Sequence, residues 1–247
     1  MSAARRPVAV VTGASAGIGA ACARQLAAAG YWVWLGARRL ALVEELAREV
    51  GGVARPLDVT DADSVEAFAT GLSTVDVLVN NAGGARGREP VEAISDQHWR
   101  WMWEVNVLGL VRMTRALLPQ LERSGAGHIV NMGSVAGFEV YEGGAGYTSA
   151  KHAVRAITRT LRLELVERPI RVTEIDPGMV ETDFSRRRFL GDEARAAEVY
   201  RGVTPLTADD VADCVVWAVT RPAHVNIDEL VLRPRQQAAA HRVHRAE

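Results

Sequence analysis

The chain has 247 residues, 48% of them hydrophobic and 24% charged, with a formal net charge of −1. It is long enough to bury a sizeable core, and its charge excludes a basic nucleic-acid surface spread over the whole molecule. Its two cysteines, Cys22 and Cys214, lie far apart in apolar helical patterns, so neither a disulfide framework nor a metal site is expected.

No apolar run is long enough to span a bilayer, and Met1 to Pro7 lacks the apolar centre of a signal peptide. The expectation is a cytoplasmic protein without membrane contact. Pro7 to Val11 (PVAVV) is a short continuous apolar run, the pattern of a strand buried on both faces. Thr12-Gly13-Ala14-Ser15-Ala16-Gly17-Ile18-Gly19 follows, then a helical pattern from Ala20 to Ala29. Strand, glycine-rich turn and helix in this order present backbone N–H groups at a helix N-terminus, where a pyrophosphate binds well. A P-loop is excluded because no Gly-Lys-Ser/Thr follows.

Tyr31 to Gly36 reads as the second strand, followed by Ala37-Arg38-Arg39 and a helix through Val50. A dinucleotide fold that takes NAD carries an acidic residue at this strand end for the ribose hydroxyls. Here two arginines stand there instead, and Arg38 and Arg39 suit a 2′-phosphate through charge-assisted bonds. That predicts NADP(H) in preference to NAD(H). Gly52 to Leu57 is the third strand, ending in Asp58-Val59-Thr60, and Asp61 to Leu72 is a helix. Val75 to Val79 is the fourth, leading into Asn80-Asn81-Ala82-Gly83. This β-α-β-α rhythm predicts an α/β fold: a doubly wound parallel sheet of about seven strands with helices on both faces. Gly13, Asp58 and Asn80 to Gly83 should then meet along its carboxyl edge.

A single long helix is expected from Asp96 to Arg123, carrying Trp99, Trp101 and Trp103 on more than one face and Asn106 in its middle. His128 to Met132 is the fifth strand and ends in Gly133-Ser134. The helix from Ala145 to Glu167 opens with Gly146-Tyr147-Thr148-Ser149-Ala150-Lys151-His152. Tyr147 and Lys151 are four apart and share a helix face, where an ammonium lowers the pKa of a phenol from its ordinary value of about 10. Lys151 is the only lysine in a chain that otherwise uses arginine. Ile170 to Ile175 is the next strand, before Asp176-Pro177-Gly178. Met179 to Tyr200 is expected to be irregular, Ala208 to Thr220 a helix and Glu229 to Leu232 a last strand. Residues 1–233 form one domain, and 234–247 a polar, basic, loosely ordered tail. Glu139 and Glu142 are expected to face water.

Laid out in order, T-G-x-x-x-G-I-G, N-N-A-G, Asn106, Ser134, Tyr147, Lys151 and Pro177-Gly178 resemble the short-chain dehydrogenase/reductase family over nearly the whole chain. The resemblance implies an oxidoreductase that transfers hydride between NADP(H) and a carbonyl or secondary alcohol. It implies Tyr147 as general acid, Ser134 as the holder of the substrate oxygen, and Lys151 as the group that bonds the cofactor ribose and lowers the tyrosine pKa. Asn106 would hold a water that links the lysine to solvent. Gly13, Gly17, Ile18 and Gly19 would surround the pyrophosphate, with Ser15, Arg38 and Arg39 at the adenosine phosphate and Asp58 and Val59 at the adenine. Asn81, Ala82, Gly83, Pro177, Gly178 and Thr182 would line the rest of the cofactor. The Gly-Ala-Arg-Arg turn and the ending H-V-N-I-D-E-L-V-L-R-P look similar to NADP-dependent 3-hydroxy-acid dehydrogenases and clavulanic-aldehyde-type reductases. Family habit further implies a homotetramer or homodimer, with no nucleic-acid partner. The rival reading is the same fold used as a silent NADP(H)-binding sensor or scaffold. After the N-N-A-G turn, Arg86 and Arg88 stand where the family favours apolar residues.

Overall fold

The computed structural model describes residues 5–246. The signal-peptide reading of Met1 to Pro7 and the outer ends of the domain and tail therefore fall partly outside the described residues. Seven parallel strands form one sheet in the order β3-β2-β1-β4-β5-β6-β7. They are β1 (Val8–Thr12), β2 (Trp32–Ala37), β3 (Val53–Pro56), β4 (Val77–Asn80), β5 (Gly127–Met132), β6 (Ile170–Pro177) and β7 (Glu229–Leu232). The chain starts mid-sheet, builds outward to β3, then crosses back to β4, so the sheet order reverses between β1 and β4. A ligand crevice opens at such a reversal, beyond the carboxyl ends of the strands.

Alternation along each strand feeds two cores. One joins Ala9, Val11, Val33 and Leu35 to α1 (Gly17–Ala28), α2 (Leu40–Val50) and α9 (Ala208–Val219). The other joins Val10, Trp34, Leu78 and Ile129 to α3 (Ala62–Ala69) and α5 (Gly109–Arg123). Phe68, buried to 1% exposure, anchors the second core, and its truncation to alanine costs about 3–5 kcal/mol. Helix ends follow local chemistry. Thr207 and Asp210 close a capping box on α9, and Gly51 ends α2 in the left-handed region at φ 66.

Three expectations are corrected. The long helix is not uniform: α4 (Asp96–Trp103) and α5 flank a π-helical turn, Glu104–Leu108. The stretch 179–200 is not irregular, since it holds two short helices, α7 (Phe184–Arg188) and α8 (Glu193–Glu198). The tail is not loose. It forms a hairpin of β8 (Gln237–Ala239) and β9 (Arg242–Val243) and buries Gln237, because Gln237 Oε1 accepts the Met179 N–H at 2.9 Å. The remaining long helix, α6 (Ala145–Glu164), covers β6. Among the described residues no helix is long and apolar enough to cross a membrane.

Candidate active site

A cleft of about 900 Å³ runs along the carboxyl edge of the sheet. One end is built on the turn after β1. Thr12 is buried, and its hydroxyl accepts the N–H groups of Asn81 and Ala82 at 3.0 and 2.9 Å. Asn81 Nδ2 donates back to the Thr12 and Gly13 carbonyl oxygens at 2.9 and 3.3 Å. The asparagine turn after β4 is thereby stapled to the glycine turn. Gly13 sits at φ +67, and a side-chain carbon there would come within 2.9 Å of Ala82 Cα, so only glycine permits this approach. The N-cap of α1 is Ala16, which lends no side-chain bond, and the first turn holds no acid. Its leading N–H groups face the cleft and suit an anion.

Cations gather beside that turn. Arg39 donates to Ser15 Oγ at 3.0 Å, and Arg38, Arg186 and Arg187 line the same end of the cleft. Burial draws Arg187 below its ordinary value, and the like charges of Arg39, Arg38 and Arg186 add to this against Asp183. Asp183 meets Arg186 and Arg187 at only 3.5 and 3.6 Å. An excess of guanidinium groups around Ser15 is a place for a phosphate.

The other end carries Ser134, Tyr147 and Lys151. Ser134 follows β5; its N–H donates to Asp176 Oδ1 at 2.7 Å, while its hydroxyl oxygen accepts the Ala136 N–H at 3.1 Å. The Ser134 hydroxyl reaches the Pro177 carbonyl oxygen only at 3.4 Å, so its proton is weakly committed. The first turns of α6 place Tyr147 and Lys151 on one face, with the ammonium 5.8 Å from the phenol ring centroid. Lys151 is buried and donates to the Met132 carbonyl oxygen at 2.8 Å. Burial pulls it down to about 8, against the nearby carboxylates of Glu174 and Asp176. Tyr147 runs opposite to expectation. Its ring is half-buried at the cleft wall, edge-to-face with Phe184 at 5.5 Å. Desolvation of the hydroxyl raises the phenol above its ordinary value, with Tyr141 adding to this, and outweighs the lowering by Ser134 and Arg188.

Gly13, Ser15, Gly17, Ile18, Arg38, Arg39, Asp58, Val59, Asn81, Ala82, Gly83, Ser134, Tyr147, Lys151, Pro177, Gly178 and Thr182 all line the cleft. Gly19 lies behind it: a side-chain carbon there would meet the Gly13 carbonyl oxygen at 2.5 Å, so its place is one of close packing. Asn106 also lies behind the wall, on the π turn. It accepts the Gly84 N–H at 3.1 Å and donates to the carbonyl oxygens of Gly84 and Met102, each at 2.8 Å. Glu139 does not face water; it pairs with Arg233 and accepts the Ala240 N–H. Trp101, Phe184 and Gln237 line the cleft without having been singled out for it. Gln237 follows from nothing in the tail's polar composition, whereas the exposed-looking tryptophan pattern was a usable signal for Trp101.

The sequence profile described as short chain dehydrogenase matches residues 7–192. An uncharacterised oxidoreductase of Mycobacterium tuberculosis is 58% identical over 238 residues, which is 96% of this chain and 95% of that protein. An NADP-dependent 3-hydroxy acid dehydrogenase of Schizosaccharomyces pombe is 40% identical over 249 residues, covering 96% of each. Among solved structures, a closed form of serine dehydrogenase complexed with NADP+ superposes with a TM-score of 0.92 at 40% identity, over 97% of this chain and 100% of that one. With a profile spanning most of its length and relatives this similar end to end, the chain belongs to the short-chain dehydrogenase family of oxidoreductases.

Proposed function

We propose that the protein is an NADP(H)-dependent dehydrogenase that interconverts a small hydroxy acid and the corresponding oxo acid. The observation that carries this is one continuous cleft with a capless helix N-terminus and clustered arginines at one end and Ser134, Tyr147 and Lys151 at the other. The activities after which the fission-yeast relative and the NADP+-bound serine dehydrogenase are named agree with it.

The residues fit the cofactor. The first turn of α1 takes the pyrophosphate, and Ser15, Arg38 and Arg39 take the adenosine phosphate. Asp58 and Val59 border the adenine, and Asn81, Ala82, Gly83, Pro177, Gly178 and Thr182 line the rest. When bound, the nicotinamide supplies or accepts the hydride. Tyr147 carries its proton at neutral pH, as an ordinary phenol does, and is placed to donate it to a carbonyl oxygen; burial, which raises the phenol further, works against that transfer. Ser134 turns its weakly committed hydroxyl to the same oxygen. Lys151 holds the ribose and a positive charge beside the phenol. The acid group of the substrate is met by Arg188 and Arg88. Arg188 donates to the Tyr141 hydroxyl at 3.0 Å, and both guanidinium groups lie 5.5 Å from the Tyr141 ring centroid. Arg188 and Tyr147 line the same cleft, which supports a carboxylate site and a proton donor within one pocket. Trp103, Leu108, Leu163 and Val166 are exposed, and this apolar surface on and beside the long helices supports assembly of copies into a dimer or tetramer.

The test is consumption of NADPH, with NADH in parallel, against short 3-oxo acids and their uncharged analogues. Preference for NADPH and for the acids is expected. Tyr147→Phe is expected to remove turnover by about 10²-fold or more while NADPH affinity stays nearly unchanged. Turnover retained by that variant would overturn the assignment of the proton donor.

A further inference from the structure

Glu174 and Asp176 stand two apart on β6 and share one face. That face is covered by α6, and both carboxyls are buried, at 2% and 0% exposure. They close around Gly133, the residue before Ser134. A side-chain carbon placed on Gly133 would come within 2.0 Å of Asp176 Oδ1 and 2.7 Å of Glu174 Oε1, so the two groups share one small space. Asp176 Oδ1 accepts the Ser134 N–H. Asp176 Oδ2 and Glu174 Oε1 are buried with no hydrogen-bond partner among the described residues. The cation nearest Oδ2 is Arg155, 3.6 Å away and already held by Glu229 through two bonds of 2.7 and 2.9 Å. Two ionised carboxylates without a donor between them are costly to bury. A single proton on the pair removes one of the two buried charges.

Among the groups away from the exposed rim, charge balance favours the same proton. Lys151, Arg155 and Thr158 form one stripe of α6 facing β6 and β7. The acids opposite are Glu174, Asp176 and Glu229, with Arg159 reaching Glu229 from the exposed rim at 3.8 Å. Glu229 neutralises Arg155, which leaves Lys151 opposite two carboxyls where one charge suffices. Tyr147 also feels Asp176 through space. Burial raises both carboxyls; the charge of Glu174 lifts Asp176 further, to about 8, whereas hydrogen bonding from Thr158 and Asp176 draws Glu174 part of the way back.

We propose that Glu174 and Asp176 hold a single proton between them and serve as the one-charge counterweight of Lys151, positioning residues that keep the lysine as ammonium and the Ser134 backbone in place. This rests on the reading of Ser134, Tyr147 and Lys151 as the reacting set.

Because Lys151 is the only lysine in the chain, lysine labelled with ¹³C at Cε gives one side-chain resonance whose titration reports this residue alone. Glu174→Gln or Asp176→Asn, made singly, leaves one carboxyl that ionises fully, so the Lys151 midpoint stays in place. The double variant removes the counterweight and lowers the midpoint by about one pH unit or more. In the infrared, the wild type shows a protonated-carboxyl band at neutral pH that each single variant abolishes. Single variants that each shift the midpoint by half the double's shift, a double variant that leaves it unmoved, or a wild type without the band would each overturn the proposal. The wild-type band needs no variant, so misfolding of the double variant does not shield the idea. Neither readout uses turnover. A protein that titrates and absorbs as stated yet reduces no carbonyl overturns the dehydrogenase reading alone, and normal turnover without the band overturns the carboxyl pair alone.

Discussion

His128 shows how much chemistry one buried side chain fixes. It sits on β5 with no exposed surface, its Nε2 2.7 Å from Thr173 Oγ1. Thr173 donates its own hydroxyl proton to the Ile227 carbonyl oxygen at 2.6 Å, so its oxygen accepts and Nε2 carries the imidazole proton. Nδ1 has no partner among the described residues, and a second proton there would be a buried charge. Burial, with Arg171 adding to it, accordingly lowers His128 to about 3. Below the ordinary value of 6.5 the unfolded chain binds a proton that the folded one refuses. The neutral histidine therefore stabilises the fold above that pH, and this contribution is lost as pH falls from 6.5 towards 3. His128→Gln keeps a donor for Thr173 and removes the titration. Its stability deficit relative to wild type is expected to shrink by about 3 kcal/mol between roughly pH 7 and pH 4. Denaturant titrations of both proteins across that range check this, and parallel curves would contradict it. The comparison has to be between the two proteins, because Glu174 and Asp176, both raised by burial, slope the other way over part of the range.

At the scale of elements, the π turn at 104–108 is the most consequential departure from regularity. The wider turn carries Asn106, which holds both backbone groups of Gly84. A side-chain carbon on Gly83 would lie 2.6 Å from Asn106 Oδ1, so the asparagine and the N-N-A-G turn fit only each other. Asn106→Ala leaves these groups without partners and is expected to cost about 1–3 kcal/mol. Faster amide exchange at residues 82–86, with β4 itself still protected, is the matching readout; uniform exchange changes would point to general destabilisation instead. The π turn was not legible in the sequence because one extra residue in a turn leaves the apolar pattern of α4 and α5 unbroken on either side. The strands and the larger helices were legible because burial on one or both faces writes its period directly into apolar positions. The role of Glu174 and Asp176 was hidden by the same rule, since alternating polar residues on a strand read as a solvent face until a helix is known to cover them. The Ser134, Tyr147 and Lys151 end was legible through their order along the chain. Arg186, Arg187 and Arg188 carry no such signal, since an exposed lid and an anion site share one composition.

For the molecule as a whole, the segment from Met179 to Leu206 is held between two lightly bonded partners. On one side Arg188 donates to the Gly87 carbonyl oxygen at 2.8 Å, and the Gly87 N–H donates to the Arg188 carbonyl oxygen at 2.9 Å. On the other, the C-terminal hairpin takes hold through Gln237 and the Met179 N–H, through Gln236 Oε1 accepting the Thr204 N–H at 2.7 Å, and through Arg245 on the Arg201 carbonyl oxygen. Glu139 ties the same hairpin to the loop beyond Ser134 by accepting the Ala240 N–H. These bonds lie outside both apolar cores, which β1 to β7 and their covering helices complete without the hairpin. Removing residues 235–247 is therefore expected to leave cooperative unfolding intact while freeing the segment that carries Thr182, Phe184 and Arg188. Since small displacements of positioning groups cost large factors in rate, NADPH-dependent turnover should fall about ten- to a hundredfold, with amide exchange quickening across 179–206 and not in β1, β4 or β5. A truncated protein with unchanged kinetics would show that the segment closes without its clasp. One that fails to fold would show that the hairpin belongs to the core, against the packing just described. The separation arises because the sheet stabilises the fold through buried area, whereas the segment beside the cleft is held by a few polar bonds.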